Sequence, residues 1–331
     1  MGRQVRTRRT STTVALLAAT VTAALAAGCT SGHGPVDDGR GRPKTSAPTG
    51  EGTASRRPAA AGPVLAVKID NAPAARPQTG LRDADVVYAE QVEGGLSRLM
   101  AVYATRLPKV VGPVRSARES DLELLRQFDD PTLAFSGAQR KLLPLIDRAP
   151  LTAQPPGKVS AAWFRGTRNA APHNLYLRPD RLMPTAPGAD ALTNGFRYGA
   201  APAGGRPDPS ITVRYPAARF TFTWSGSTHR WLVAMDGTPT VTTDGHRVAP
   251  ATVVVQYVKI RRSAFHDVLG NNTPYTRTTG SGTAEVLRDG KVYDVEWKRP
   301  KATDGTAFTT KDGAPVNFAE GQVWVVFAKA P

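Results

Sequence analysis

Cysteine is nearly absent from this sequence, because Cys29 is the single cysteine among 331 residues. An intramolecular disulfide and a cysteine-based zinc site are therefore excluded. Histidine is also scarce, with five residues, and none of them has the spacing of a metal-binding motif such as His-Glu-x-x-His. We therefore expect neither a metal site nor another cofactor.

Long hydrophobic runs are missing as well. The apolar stretch at residues 14–27 follows a basic segment with four arginines and no acid. As a helix it spans about 21 Å, too short for a hydrocarbon core of about 30 Å. A basic segment followed by a short apolar one is typical of an export signal rather than a transmembrane helix. Residues 1–28 are therefore interpreted as a signal peptide.

Small residues precede the lone cysteine, in the order Leu25-Ala26-Ala27-Gly28-Cys29. This order resembles a bacterial lipobox, in which the cysteine takes a diacylglyceryl group and becomes the mature N-terminus. Ala26 stands where that pattern prefers leucine. We expect lipidation of Cys29, with palmitate-like chains that hold the protein at the outer face of the cell membrane, because two acyl chains anchor stably. Arg8-Arg9 leaves both the twin-arginine and the general secretory route open.

Basic residues outnumber acidic ones, 43 against 27, for a net charge of +16. The excess is spread along the chain, without a concentrated basic arm. Outside the cytosol the available polyanions are lipid headgroups and wall polymers, so nucleic acid is not an expected partner. An evenly basic, soluble surface is the alternative to any specific polyanion binding.

The composition divides the rest of the chain. Residues 29–62 are rich in Gly, Pro, Ser, Thr and Ala without apolar periodicity, as in a flexible tether. Residues 63–199 mix predicted strands with two helices, which begin near Ser120 and Leu142. After a Pro- and Gly-rich joint, residues 207–331 are mostly predicted strands. The predicted strands are 64–69, 84–92, 99–104, 132–135, 211–215, 220–224, 231–235, 253–260, 283–287, 292–297 and 323–327. We expect an α+β fold of two domains.

Polar side chains of the first half lie at the ends of predicted strands or in the loops that follow, where sites in mixed sheets are usually built. The candidate ligand-binding residues are Asp70, Asn71, Glu90, Glu93, Arg98, Arg115, Ser116, Arg118, Arg168, His173 and Asn174. Arg115, Ser116 and Arg118 precede a predicted helix start. Guanidinium groups bind carboxylate or phosphate bidentately, so an anion site is predicted here. Structural pairing of these arginines with carboxylates is the alternative.

Acid–base chemistry is a further hypothesis for the same stretch. Glu90 and Glu93 are three residues apart and face opposite sides of a continuous strand. They can share a glycosidase-like site only if the strand ends between them; ion pairing with a nearby arginine is the other interpretation. Ser116 could act as a nucleophile only beside a base such as His173, and no Gly-x-Ser-x-Gly motif is present. No catalytic residue is assigned.

Several motifs follow one another in a characteristic order. In the first half they are 66–71 (Ala-Val-Lys-Ile-Asp-Asn), 75–81, 84–90, 92–95, 111–118 and 171–176, together with Arg98 and Arg168; in the second half they are 280–284, 289–291, Trp297 and 321–324. Together they closely resemble the YerB-like lipoprotein family, whose members carry N- and C-terminal DUF3048 domains of unknown function. Ala72-Pro73 departs from the family pattern, which often has a bulkier residue and His there.

The resemblance implies a secreted, lipid-anchored protein of two domains. It implies a layered β-β-α sandwich for residues 63–199 and a smaller, mostly-β domain for residues 207–331. It implies no activity and no catalytic residues. We expect a binding or scaffolding lipoprotein of the cell envelope, whose ligand is an anionic or glycan wall component or a partner protein. An envelope hydrolase or transferase using the Glu, Arg and His residues, and an interaction module working through the β-rich half, are the alternatives.

Overall fold

Runs of β-branched and aromatic residues form most of the regular secondary structure. The structure is a computed structural model, and it describes residues 62–267 and 270–331. The predicted signal peptide, Cys29 and all but the last residue of the predicted tether lie outside the described residues. Strands make up 42% of the described part and helices 12%. All described residues fall within one compact unit. Among them, no helix has the length and apolar character needed to cross a membrane.

The first half of the chain contains seven strands and two helices. They are β1 (Leu65–Asp70), β2 (Val86–Gln91), β3 (Ser97–Tyr103), α1 (Glu119–Leu125), β4 (Thr132–Ala134), α2 (Leu143–Arg148), β5 (Thr152–Gln154), β6 (Trp163–Arg165) and β7 (Leu175–Leu177). The second half adds strands alone, apart from short 3-10 turns near the join. They are β8 (Arg206–Pro207), β9 (Ser210–Tyr215), β10 (Ala218–Ser225), β11 (Arg230–Met235), β12 (Thr238–Pro239), β13 (Thr252–Val258), β14 (Ile260–His266), β15 (Asn272–Thr276), β16 (Gly280–Arg288), β17 (Lys291–Arg299), β18 (Ala307–Thr309) and β19 (Val323–Lys329).

The helices are shorter than an α+β fold would lead one to expect, so the fold is mostly β. Helix α1 has 7 residues and α2 has 6. Helix α2 ends at Ala149, which is extended at φ −71° and ψ 149°. The next residue is Pro150, and a proline disfavours the helical conformation of the residue before it.

An 11-stranded sheet runs through both halves of the chain. Its order is β18-β17-β16-β13-β19-β2-β3-β1-β4-β5, and β8 pairs with β17. The C-terminal strand β19 lies parallel to β13 on one side and to β2 on the other. It therefore joins the second-half strands to the first-half strands.

Two hydrophobic cores cover the two faces of this sheet. Along β1 the alternation places Val67 in one core and Ala66 in the other, as the period of two in a strand requires. The first core packs the four-stranded sheet β12-β11-β10-β9 against the large sheet, with the rings of Phe222 and Trp324 6.0 Å apart. The second contains Leu125 of α1 and residues of α2. The layers are thus sheet, sheet and helices, and the outer sheet comes from the second half.

Candidate functional site

Three of the predicted arginines meet at one cleft of about 660 Å³. Arg98 lies on β3, and Arg115 and Arg118 lie between β3 and α1. We call it the arginine cleft and define it by these three arginines with Glu93 and Ser116, all of which line it. Its volume falls within the range of about 300–1,000 Å³ that is usual for small-molecule sites.

Backbone hydrogen bonds hold the arginine-bearing segment against the end of β1. The N–H of Arg115 donates to the carbonyl of Lys68 at 2.8 Å, and the N–H of Asp70 donates to the carbonyl of Pro113 at 2.8 Å. The carbonyl of Arg115 accepts from Ser136 at 3.0 Å. The segment is therefore fixed on both sides, and its side chains start from a rigid backbone.

Glu93 and Arg118 form a two-pronged ion pair inside the cleft. Nε of Arg118 lies 2.7 Å from Oε1 of Glu93, and Nη2 lies 2.6 Å from Oε2. The hydroxyl of Thr273 also donates to this carboxylate. Burial alone raises the pKa of Glu93, but the Arg118 guanidinium outweighs it and holds the pKa below 4.5. Of the two interpretations of Glu93, ion pairing is the one found, and an ionised Glu93 is poorly suited to act as a general acid.

Arg98 is left with few partners. Its Nη1 donates one hydrogen bond, to the carbonyl of Ser116 at 3.1 Å, and it forms no ion pair with any described residue. Burial, and then repulsion from Arg118, lowers its pKa to about 10. Arg115 makes only an ion-pair contact, with Nε 3.4 Å from Oδ2 of Asp70. Most N–H donors of these two guanidinium groups therefore have no partner among the described residues.

A structural arginine in the same molecule looks quite different. Arg299 is fully buried, and its guanidinium donates five hydrogen bonds. The acceptors are the carbonyls of Glu123, Leu124, Ala302 and Asp304 and the hydroxyl of Thr278. All three guanidinium nitrogens therefore donate, with one contact from Nε, one from Nη1 and three from the two N–H groups of Nη2, so this fold can satisfy most of the five N–H donors of an arginine where the role is structural. Arg98 does not follow that pattern.

Asp70 and His173 form a pair beside the cleft. Oδ2 of Asp70 lies 2.8 Å from Nδ1 of His173, and Oδ1 accepts the N–H of Ala72 at 3.1 Å. The same Oδ2 faces Arg115, which lines the cleft. Asp70 and His173 are not among the lining residues themselves, so Arg115 is the link between the pair and the cleft.

Glu90 lies in a separate, buried cluster. It pairs with Lys68, whose Nζ also lies 2.7 Å from Oδ1 of Asp121. Burial, with repulsion from Asp121, outweighs the attraction of Lys68 and raises the pKa of Glu90 to about 7. The structure therefore does not bring Glu90 into the cleft beside Glu93. Lys68 and Asp121 were absent from the predicted set, although a lysine inside the apolar run of β1 is a visible signal for a buried charge.

The remaining predicted residues also lie outside the cleft. Asn71 is held by the hydroxyl of Ser97 at 2.8 Å and by Nε2 of Gln78 at 2.8 Å. Asn174 accepts from Nη1 of Arg165 at 2.7 Å, which fixes the turn between β6 and β7. Arg168 is exposed and has no hydrogen bond or ion pair within the described part of the chain. Across residues 62–267 and 270–331, no three His, Cys, Asp or Glu side chains come together as a metal site would require.

Two models of one protein family match most of the chain. Residues 48–192 match the family described as "Protein of unknown function (DUF3048) N-terminal domain", and residues 211–325 match its C-terminal domain. The chain therefore belongs to the DUF3048 family, as its motifs indicated.

A sequence comparison and a structure comparison, both with YerB of Bacillus subtilis, extend this result. The chain is 25% identical over 292 residues to "Putative lipoprotein YerB" of Bacillus subtilis (strain 168), covering 86% of this chain and 84% of that protein. It is also similar to the crystal structure of the YerB protein from Bacillus subtilis, with a TM-score of 0.68 and 21% identity over 80% of this chain and 90% of that one. The second comparison establishes a shared fold.

Proposed function

We propose that this protein is a lipid-anchored protein of the cell envelope that binds an anionic ligand in the arginine cleft. The lipid anchor is supported by the residues before Cys29 and by the word lipoprotein in the name of the relative. The ligand would be an anionic wall component or an anionic group on a partner molecule. Replacing Cys29 with Ser should release the protein from the membrane fraction, and unchanged retention would contradict the anchor.

The few partners of the Arg98 guanidinium are the observation that carries the binding proposal. Arg98 is half-buried, and removing a charged group from water is costly unless it is paired. It makes one hydrogen bond and no ion pair among the described residues, where Arg299 makes five hydrogen-bond contacts. Its neighbours Arg115 and Arg118 add positive charge, and their repulsion contributes to the lowered pKa of Arg98. An anion in the cleft would supply acceptors for the free N–H donors and offset that repulsion.

Titration calorimetry with inorganic phosphate tests the proposal. The full chain is used with the substitution Cys29→Ser, because the variant carries no lipid at Cys29 and needs no detergent. Hydrogen bonds to charged groups contribute about 1.5–3 kcal/mol, so Arg98→Gln should weaken phosphate binding at least about tenfold. Arg115→Gln should also weaken binding, and it provides a second variant if Arg98→Gln fails to fold. Arg168→Gln removes an exposed arginine outside the cleft and should leave the affinity unchanged.

Two results would contradict an anion site in the cleft. One is an affinity for phosphate that survives both Arg98→Gln and Arg115→Gln. The other is an equal loss in Arg168→Gln, because that would point to the general positive charge of the surface. Thermal unfolding of each variant separates a lost site from a lost fold.

An envelope hydrolase or transferase is the second candidate function, and the Asp70–His173 contact favours it. A carboxylate on Nδ1 orients the imidazole and leaves Nε2 as the nitrogen that can exchange a proton with a substrate. In that case His173→Gln should abolish turnover of wall-polymer fragments while phosphate binding persists. Turnover that is unaffected by His173→Gln would remove this candidate.

A further inference from the structure

The arginine cleft is also lined by apolar residues. Val92, Leu96, Ala138, Leu142 and Phe265 line it together with the arginines. Leu96 is 38% exposed, which makes it the most exposed of the large hydrophobic residues in the described part of the chain, whereas Leu142 and Phe265 are buried. A cleft that joins several guanidinium groups to an apolar lining with an exposed leucine fits a ligand with both a charged and a hydrocarbon part.

The acidic residues of the lining are already engaged. Glu119 accepts a hydrogen bond from the hydroxyl of Ser263 at 2.6 Å. Asp267 accepts one from the N–H of Asn271 at 2.8 Å. Both contacts involve the hairpin of β14 and β15, and Glu93 is taken by Arg118. None of these three carboxylates forms an ion pair with Arg98 or Arg115.

The size of the cleft argues against a small inorganic ion as the whole ligand. At about 30 Å³ per water molecule in the liquid, 660 Å³ has room for roughly twenty waters. One tetrahedral phosphate fills a minor part of that space. A phosphate monoester has three peripheral acceptor oxygens and a charge of about −1.5 to −2, whereas a carboxylate has two oxygens and one charge, so a phosphate offsets more of the positive charge of the three guanidinium groups.

We propose that the ligand of the arginine cleft is a phosphate ester of a hydrocarbon chain. Its phosphate would bind Arg98 and Arg115, and its chain would lie against the apolar lining at Leu96, the exposed leucine of the cleft. This inference rests on the proposed anion site and adds the apolar part of the ligand. Inorganic phosphate and a phosphate ester share the group that binds the arginines, so the test must distinguish a free phosphate from one that carries a hydrocarbon chain.

Calorimetry can separate the two ligands. The Cys29→Ser chain is titrated with inorganic phosphate, with octyl phosphate below its micelle concentration, and with octyl glucoside. Octyl phosphate should bind at least about tenfold more tightly than inorganic phosphate, because several methylene groups leave water. Octyl glucoside, which has the chain but no anion, should bind far more weakly than octyl phosphate. Leu96→Asn should bring the affinity for octyl phosphate down to that for inorganic phosphate and leave the latter unchanged.

Leu143→Asn is the matched control, because Leu143 is 37% exposed and does not line the cleft. It should leave both affinities as they are. Equal affinities for octyl phosphate and inorganic phosphate would overturn the hydrocarbon part and leave the anion site standing. Octyl glucoside binding as tightly as octyl phosphate would likewise overturn the inference. Absence of binding by every phosphate would overturn the proposed function as well.

Discussion

The buried cluster of Lys68, Glu90 and Asp121 makes the stability of the protein depend on pH. Burial, and then repulsion from Asp121, raises the pKa of Glu90 from its usual 4.5 to about 7. A carboxyl with a raised pKa binds its proton more tightly in the folded than in the unfolded state. Its stabilising contribution is therefore complete below about pH 4.5 and is lost as the pH rises through about 7.

The size of the effect follows from the pKa difference. One pKa unit corresponds to about 1.4 kcal/mol, so the rise from 4.5 to about 7 corresponds to a loss on the order of 3 kcal/mol. Glu90→Gln keeps the shape of the side chain but cannot ionise, and Lys68 retains Asp121 at 2.7 Å. Relative to the variant, the natural protein should therefore lose about 3 kcal/mol of unfolding free energy between pH 4.5 and about pH 8.

Urea unfolding followed by tryptophan fluorescence measures this difference directly. Both proteins are unfolded at pH 4.5 and at about pH 8, and the free energies are compared at each pH. Glu320→Gln replaces an exposed glutamate and should follow the natural protein at both values. A gap between the natural protein and Glu90→Gln that stays constant across this range would refute the assignment of the buried proton to Glu90.

Two further predictions concern stability at single positions. Lys68→Met should lower the unfolding free energy by about 3–5 kcal/mol at neutral pH, since it leaves the buried carboxylate of Asp121 without its cation, and a urea midpoint close to that of the natural protein would contradict this. Gly80→Ala and Gly94→Ala both place an alanine at positive φ, which is 75° at Gly80 and 66° at Gly94. At Gly80 the new Cβ would also lie 2.5 Å from the carbonyl oxygen of Val110, whereas at Gly94 it would meet no atom within 4 Å. Gly80→Ala should therefore cost about 1–3 kcal/mol more than Gly94→Ala, and equal midpoints in urea would show that the close contact relaxes without cost.

The long strands could be predicted from the sequence because each carries enough residues for its pattern to show. The apolar run predicted at 323–327 is β19, and the Asp289-Gly290 signal lies at the turn between β16 and β17. Short strands such as β5, β6 and β12 were missed, because two or three residues show no periodicity, whereas the three residues of β4 were predicted as part of the apolar run 132–135. The five-residue strand β15 was also missed. The strand predicted at 253–260 ends at Val258 in the structure, and Ile260 begins β14.

The start of the first helix was predicted nearly correctly, but from a different cap. The pattern at Ser120 and Glu123 indicated a capping box there. The structure begins α1 at Glu119, and the carboxylate of Asp121 accepts the N–H of Arg118 at 2.7 Å. Both choices place an acidic residue three positions after the cap, so sequence spacing alone does not distinguish them.

The candidate site could be predicted only where its residues are close in the chain. The segment 115–118 was identified from its turn and its arginines. The contacts of the cleft join distant residues: Thr273 bonds Glu93 across 180 positions and Arg118 bonds it across 25. The missing partners of Arg98 are a property of the packed structure, and no local pattern records them.

The position of β19 has a consequence for how this chain can mature. Residues 323–329 follow the other eighteen described strands in the sequence, yet they fill the middle of the sheet between β13 and β2. A growing polypeptide that lacks this strand leaves two inner strands with open edges, which invite pairing with other chains. Completion of the native sheet must therefore wait until β19 is made, and a premature stop before residue 323 removes the centre of the sheet rather than its margin.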